Sequence, residues 1–238
     1  MTVPSIDPIE RNQILRAAVG IGLYAGAFGI SFGAVSTTAG LNLWQTMILS
    51  LVMFSGGSQF AFVGIVAAGN PWFAIPASLL LAVRNAFYGV TISEIVHPRG
   101  WTKPLVAHLV IDETTAMAVG QKSPAAQRYA FFATGIILFI LWQLGTFVGA
   151  LVGAAIDPKS FGLDVAAPAA FIALLWPALT TTRAKLVAAG GGLVAFLLIP
   201  ITSAGVPVIA AAIVALVMGM MEPPMSGSAE EAAGDIRT

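Results

Sequence analysis

Cysteine is missing from all 238 residues, which excludes disulfides, thiol catalysis and cysteine-ligated metals. Charge is scarce too. Asp, Glu, Lys and Arg make up only 9% of the chain, against about 25% in an ordinary soluble domain. The formal net charge is zero, which removes any electrostatic reason to bind nucleic acid. With two histidines and no His/Asp/Glu set at metal-ligand spacing, neither a metal site nor a cofactor is expected. What is abundant is apolar. Hydrophobic residues make up 58% of the chain and the mean hydropathy is +0.90. The expectation is an all-α polytopic membrane helix bundle in contact with lipid, with about six to seven spans and one or two broken or re-entrant segments.

The chain divides by composition. Residues 1–13 are polar and read as a cytoplasmic tail, 14–221 as a single transmembrane domain, and 222–238, acidic and rich in Ala, Gly and Ser, as a disordered tail. The first apolar stretch, about Ile14 to Thr38, is too long for a signal-peptide core and lacks a cleavage site. Its glycines Gly20, Gly22, Gly26, Gly29 and Gly33 recur at spacings of two to four, as expected where another helix packs closely.

The next apolar run, Leu41 to Gly69, is long enough to cross a bilayer, yet its centre reads Met53-Phe54-Ser55-Gly56-Gly57-Ser58-Gln59-Phe60. Paired glycines let a helix unwind, and the freed backbone groups survive only against protein or a watery cavity. Transporters build midplane binding sites in this way. Close packing of small residues explains the glycines and serines equally well, but it does not require Gln59.

Three further residues stand out because a charge at membrane depth costs about 2.5–3.5 kcal/mol or more. Arg84 falls near the middle of the stretch from Trp72 to Ser93, where it either pairs with a substrate carboxylate or is a structural arginine. Asp112 and Glu113 lie in Pro104–Gly120, a segment short enough to be re-entrant or interfacial. One of them can pair with Arg84 or exchange a proton. His108 precedes Asp112 by one helical turn.

A weak internal repeat relates halves 14–120 and 121–221. Phe28-Gly29 with Phe32-Gly33-Ala34, Gly40-Leu41-Asn42 and Val66-Ala67-Ala68-Gly69 are echoed by Phe147-Val148-Gly149-Ala150, Gly162-Leu163-Asp164 and Val187-Ala188-Ala189-Gly190, which sets Trp176-Pro177 opposite Ser55-Gly56-Gly57. In a chain this rich in Ala and Gly, chance produces such matches as well. If Leu41–Gly69 and Pro104–Gly120 both dip in and return, the basic residues sort cleanly. Arg11, Arg16, Arg99, Lys103, Lys122, Arg128, Arg183 and Lys185 then fall on the cytoplasmic side, Lys159 falls outside, and both termini are cytoplasmic.

The order and spacing of Phe32-Gly33, Ala39-Gly40-Leu41, Phe54-Ser55-Gly56-Gly57-Ser58-Gln59-Phe60, Arg84-Asn85-Ala86-Phe87-Tyr88, Asp112-Glu113, Gly162-Leu163-Asp164 and Phe171 resemble the AzlC family over nearly the whole chain. This resemblance implies the large subunit of a branched-chain amino acid exporter in the bacterial inner membrane. It also implies a proton-driven secondary transporter with a small AzlD-like membrane subunit, carrying valine, leucine, isoleucine or methionine. On that reading Ser55, Gly56, Gly57, Ser58, Gln59, Arg84 and Asn85 hold the substrate, and Asp112 or Glu113 couples protons. No catalytic residue is expected, since no serine has a base beside it at depth. A channel, or an assembly subunit with no transport of its own, are the alternatives.

Overall fold

The computed structural model describes residues 6–155, 172, 176, 179–203 and 205–220. Gly162-Leu163-Asp164, Phe171, Pro177 and the C-terminal tail lie outside them. Among the described residues the secondary structure is nine α-helices and no strand. They are α1 (Pro8–Thr38), α2 (Leu43–Val52), α3 (Gly56–Ala67), α4 (Pro71–Val96), α5 (Thr102–His108), α6 (Asp112–Val119), α7 (Pro124–Ala155), α8 (Thr182–Leu198) and α9 (Val206–Met220). The chain is an all-α membrane helix bundle. Three of the described helices, α1, α4 and α7, are long and apolar enough to cross a membrane. Two compact units, Met1–Pro177 and Ala178–Thr238, are each described by themselves.

The first unit is built on α1 and α7, which run parallel. At one end Arg11 Nε donates to Tyr129 Oη at 3.4 Å and its guanidinium lies 5.5 Å from that ring centre. At the other end Gly153 meets Ala34 and Thr37. Between these ends the backbones touch. A Cβ added to Gly29 would lie 2.7 Å from the Trp142 carbonyl oxygen, one on Gly26 would lie 3.0 Å from that of Leu141, and one on Gly149 would overlap the Ile30 carbonyl. The glycine spacing thus finds its close partner in α7, except at Gly20, where nothing lies within 4 Å. Such contact brings Cα–H groups against carbonyl oxygens and maximises dispersion.

α1 begins at Pro8, earlier than the tail boundary at residue 13, because Asp7 caps it by accepting from Ile9 N at 3.1 Å and proline suits the first turn. α4 runs opposite to α7. Near the C-terminus of α4, Arg128, in the first turns of α7, donates through Nε to the Ile95 carbonyl at 2.7 Å and meets His97 Nδ1 at 3.2 Å. A helix of 26 residues is about 39 Å long. Pro71 therefore lies at the end of the bundle where α1 finishes. The segment between them, α2 and α3, must enter and leave on that same side. Turns with left-handed glycines, Gly40 (φ 95°) and Gly69 (φ 87°), make the two reversals.

By the same reasoning α5 and α6, between the end of α4 and the start of α7, form a second hairpin from the opposite side. Pro104–Gly120 is thus two short helices broken at 109–111, not one. Helices of 7 to 12 residues span about 10–18 Å, half a bilayer core. The two tips meet mid-bundle, where the rings of Phe54 and His108 lie 5.8 Å apart and each packs on Phe139 of α7.

In the second unit α8 and α9 are antiparallel. Arg183 Nη2 donates to the Met218 carbonyl at 2.5 Å, and Gly191 faces Ala211.

Candidate functional site

The break between α2 and α3 frees carbonyls inside the protein, and the chain satisfies them with amides. Gln59 is fully buried and its Nε2 donates to the Ser50 carbonyl at 3.3 Å and to that of Met53. Gln143 of α7 donates to the same Ser50 carbonyl at 3.2 Å, and Ser50 Oγ lies 3.4 Å from Thr146 Oγ1. These contacts replace the helical bonds lost at Met53–Ser55, which would otherwise leave buried acceptors unpaired. Gln59 Oε1 and Gln143 Oε1 stay buried without a partner in the described structure. Gln59 therefore supports the break, and its amide nitrogen is already committed.

Ser55 starts α3 without capping it, since its hydroxyl meets Ser58 Oγ at 3.1 Å. The first N–H groups of α3 thus carry no side-chain cap. Gly56 is small because Trp142 covers it; a Cβ there would lie 3.2 Å from the indole. Phe32 stacks on Trp142 at 6.0 Å and meets Phe60 edge-on at 5.5 Å, which seals this side with a packed aromatic core.

On the other side of α3 lies Arg84, in the middle of α4. Its Nη2 is 2.8 Å from Asp112 Oδ2 and 3.8 Å from where a Gly57 Cβ would be. Asp112 is the first residue of α6, and Tyr88, one turn beyond Arg84, lies beside the same carboxylate. Glu113, next along α6, is half-buried. The starts of two half-length helices, α3 and α6, therefore converge on one ion pair at mid-depth, and the positive ends of both suit an anion.

Of the residues singled out in the sequence, Gly57, Arg84 and Asp112 come together; Ser55, Ser58 and Gly56 lie in the adjoining turn. Asn85, next to Arg84, has a buried Oδ1 without a partner in the described structure. His108 is not a helical neighbour of Asp112, because the break at 109–111 separates them; it closes the hairpin tips, with the Leu51 backbone as its polar neighbour. Gln143 and Thr146 have no part in the sequence reading, and Tyr88 enters it only within the run Arg84-Asn85-Ala86-Phe87-Tyr88. An amide three residues before a threonine in an otherwise apolar helix was the available signal for the first two. Among the described residues no group of three His, Asp or Glu is placed to hold a metal.

A family model described as AzlC protein matches residues 20–156, more than half of the chain and the whole of this site. The chain belongs to the AzlC family. Its curated relatives include an uncharacterized membrane protein of Helicobacter pylori, 25% identical over 149 residues, covering 61% of this chain and 65% of the relative. The branched-chain amino acid transport protein AzlC of Bacillus subtilis is 25% identical over 160 residues, 65% of this chain and 63% of its own length. An uncharacterized membrane protein of Archaeoglobus fulgidus is 30% identical over 182 residues, 74% of this chain and 80% of its own. The match thus spans a little under two thirds of the first and second of these relatives. No solved structure matches. Within this AzlC-family chain the match runs from the glycine face of α1 to the end of α7, so it contains both hairpins.

Proposed function

We propose that this chain is a secondary transporter that exports branched-chain or other hydrophobic amino acids across the bacterial inner membrane. The observation that carries the reading is the Arg84–Asp112 pair, set at the middle of α4 beside the uncapped start of α3. An arginine at that depth is costly unless it has work to do. Its planar donor pair fits a carboxylate, and the first-turn N–H groups of α3 can share that carboxylate. Apolar walls take the aliphatic side chain, and selectivity among valine, leucine, isoleucine and methionine is modest, since one methylene is worth about 1–3 kcal/mol. Glu113 or Asp112 couples protons. A small AzlD-like subunit completes the assembly, with both termini in the cytoplasm, as the basic residues favour. The name borne by the Bacillus subtilis relative supports the substrate class.

The test is efflux of radiolabelled leucine and valine from cells lacking their own exporter, with and without the AzlD-like subunit. Efflux that needs both chains supports the reading. No efflux from the co-expressed pair leaves the channel or assembly-subunit reading in its place.

A further inference from the structure

The two charges of the site neutralise each other. Arg84 and Asp112 are 2.8 Å apart, and with 51% and 41% of their side chains exposed, neither is sealed inside the protein. Polar groups flank both members of the pair. Next to the guanidinium are Gly57 and the uncapped start of α3, which donate; next to the carboxylate is the Tyr88 phenol.

We propose that Arg84 and Asp112 form a head-group clamp that reads both charges of a zwitterionic α-amino acid. The substrate carboxylate takes Arg84 and the α3 N–H groups, the ammonium takes Asp112, and one internal ion pair is exchanged for two with the ligand. This rests on the transporter reading and adds what that reading leaves open: why an α-amino acid is carried in preference to its 2-oxo acid or its amine. A zwitterion leaves the site with the same net charge as before. A 2-oxo acid would occupy Arg84 and strand Asp112, while an amine would occupy Asp112 and strand Arg84. A charge left without a partner once the bound ligand has displaced water from the site is strongly unfavourable. The unloaded protein is equally free of uncompensated charge, so it can reorient empty. Glu113 projects about 100° from Asp112 around α6 and stays outside the clamp, available for a proton.

The test uses the full chain with its AzlD-like subunit, purified and reconstituted in liposomes loaded with leucine. Counterflow of labelled leucine is competed with leucine, leucine amide, which lacks the carboxylate, and 4-methyl-2-oxopentanoate, which lacks the ammonium. The same compounds are scored by the rise in Tm of the detergent-solubilised pair. The clamp predicts that both analogues act more than about 100-fold more weakly than leucine. It also predicts that Asp112→Asn weakens leucine at least tenfold without weakening the 2-oxo acid. Equal potency of leucine and 4-methyl-2-oxopentanoate overturns the clamp and leaves the transporter reading standing. Leucine that raises Tm selectively but does not move defeats transport and leaves the clamp in place. No selective rise in Tm and no selective competition defeats the clamp.

Discussion

Gly33 rests on the backbone of Thr146 with no room for a methyl group between them. An added Cβ would overlap the threonine carbonyl oxygen and stand 2.6 Å from the Ala150 amide nitrogen. Both neighbours are backbone atoms of α7, so neither can rotate away. Gly33→Ala is therefore expected to cost about 1–3 kcal/mol or to part the helices. Gly149→Ala, aimed at the Ile30 carbonyl, should behave alike, while Gly20→Ala, with open space around it, should be tolerated. Thermal unfolding of the three variants in one detergent decides this, and a Gly33→Ala midpoint equal to that of Gly20→Ala would refute the close contact.

Substitutions at Gln59 test whether the amide holds the broken segment. Its nitrogen serves the Ser50 and Met53 carbonyls, so Gln59→Met removes a donor and should lose about 1–3 kcal/mol. Gln59→Glu sets an acceptor against two acceptors and should be worse than Gln59→Met despite its closer shape. Gln143→Met should cost less than Gln59→Met, because the Ser50 carbonyl keeps its other donor. An unchanged midpoint in Gln59→Glu would return the residue to the ligand role.

Arg84→Gln and Asp112→Asn separate function from stability. Half-exposed ion pairs contribute little to folding, about 0–1 kcal/mol. Both variants should reach the membrane at wild-type levels yet lose leucine efflux. Wild-type efflux in Arg84→Gln would move the binding site elsewhere.

The absence of native cysteine makes the hairpins testable directly. Trp44 and Trp72 are exposed, in the first turns of α2 and α4, and Trp101 is exposed at the start of α5. Single cysteines at 44 and 72 should react with a membrane-impermeant maleimide from one side of the membrane, and a cysteine at 101 from the other. Labelling of 44 and 72 from opposite sides would make α2–α3 a full crossing.

Several of these features could be read from residue types alone. Glycines at helical spacing on α1 mark a face for close packing whatever the partner, Gly56-Gly57 in an apolar run mark a break, and a lone arginine at depth requires an acid. Other features depend on atoms distant in sequence. The break at 109–111 contains no glycine or proline; it is held by Thr114, whose Oγ1 donates to the Leu109 carbonyl at 2.7 Å and accepts from Ile111 N at 3.1 Å. A pattern search sees a continuous helix there and places His108 beside Asp112. Gln59 reads as a ligand in the sequence, which does not disclose that its amide nitrogen serves the Ser50 carbonyl. Trp142, legible only as an anchor or a packing residue, proves to be the lid over Gly56.

The α1–α7 contact also sets which parts of the molecule are able to slide. Six glycines, Gly26, Gly29, Gly33, Gly145, Gly149 and Gly153, seat against main-chain atoms of the facing helix, so even a small axial shift would drive a carbonyl into a Cα. Side chains cannot relieve that clash, and the pair behaves as a single beam. The hairpins and α4 lean on this beam through side chains such as Phe54 on Phe139, which can change rotamer. On the proposed transporter reading, exchange between the two faces of the membrane is thereby left to the hairpins and α4, with α1 and α7 as the frame they move against.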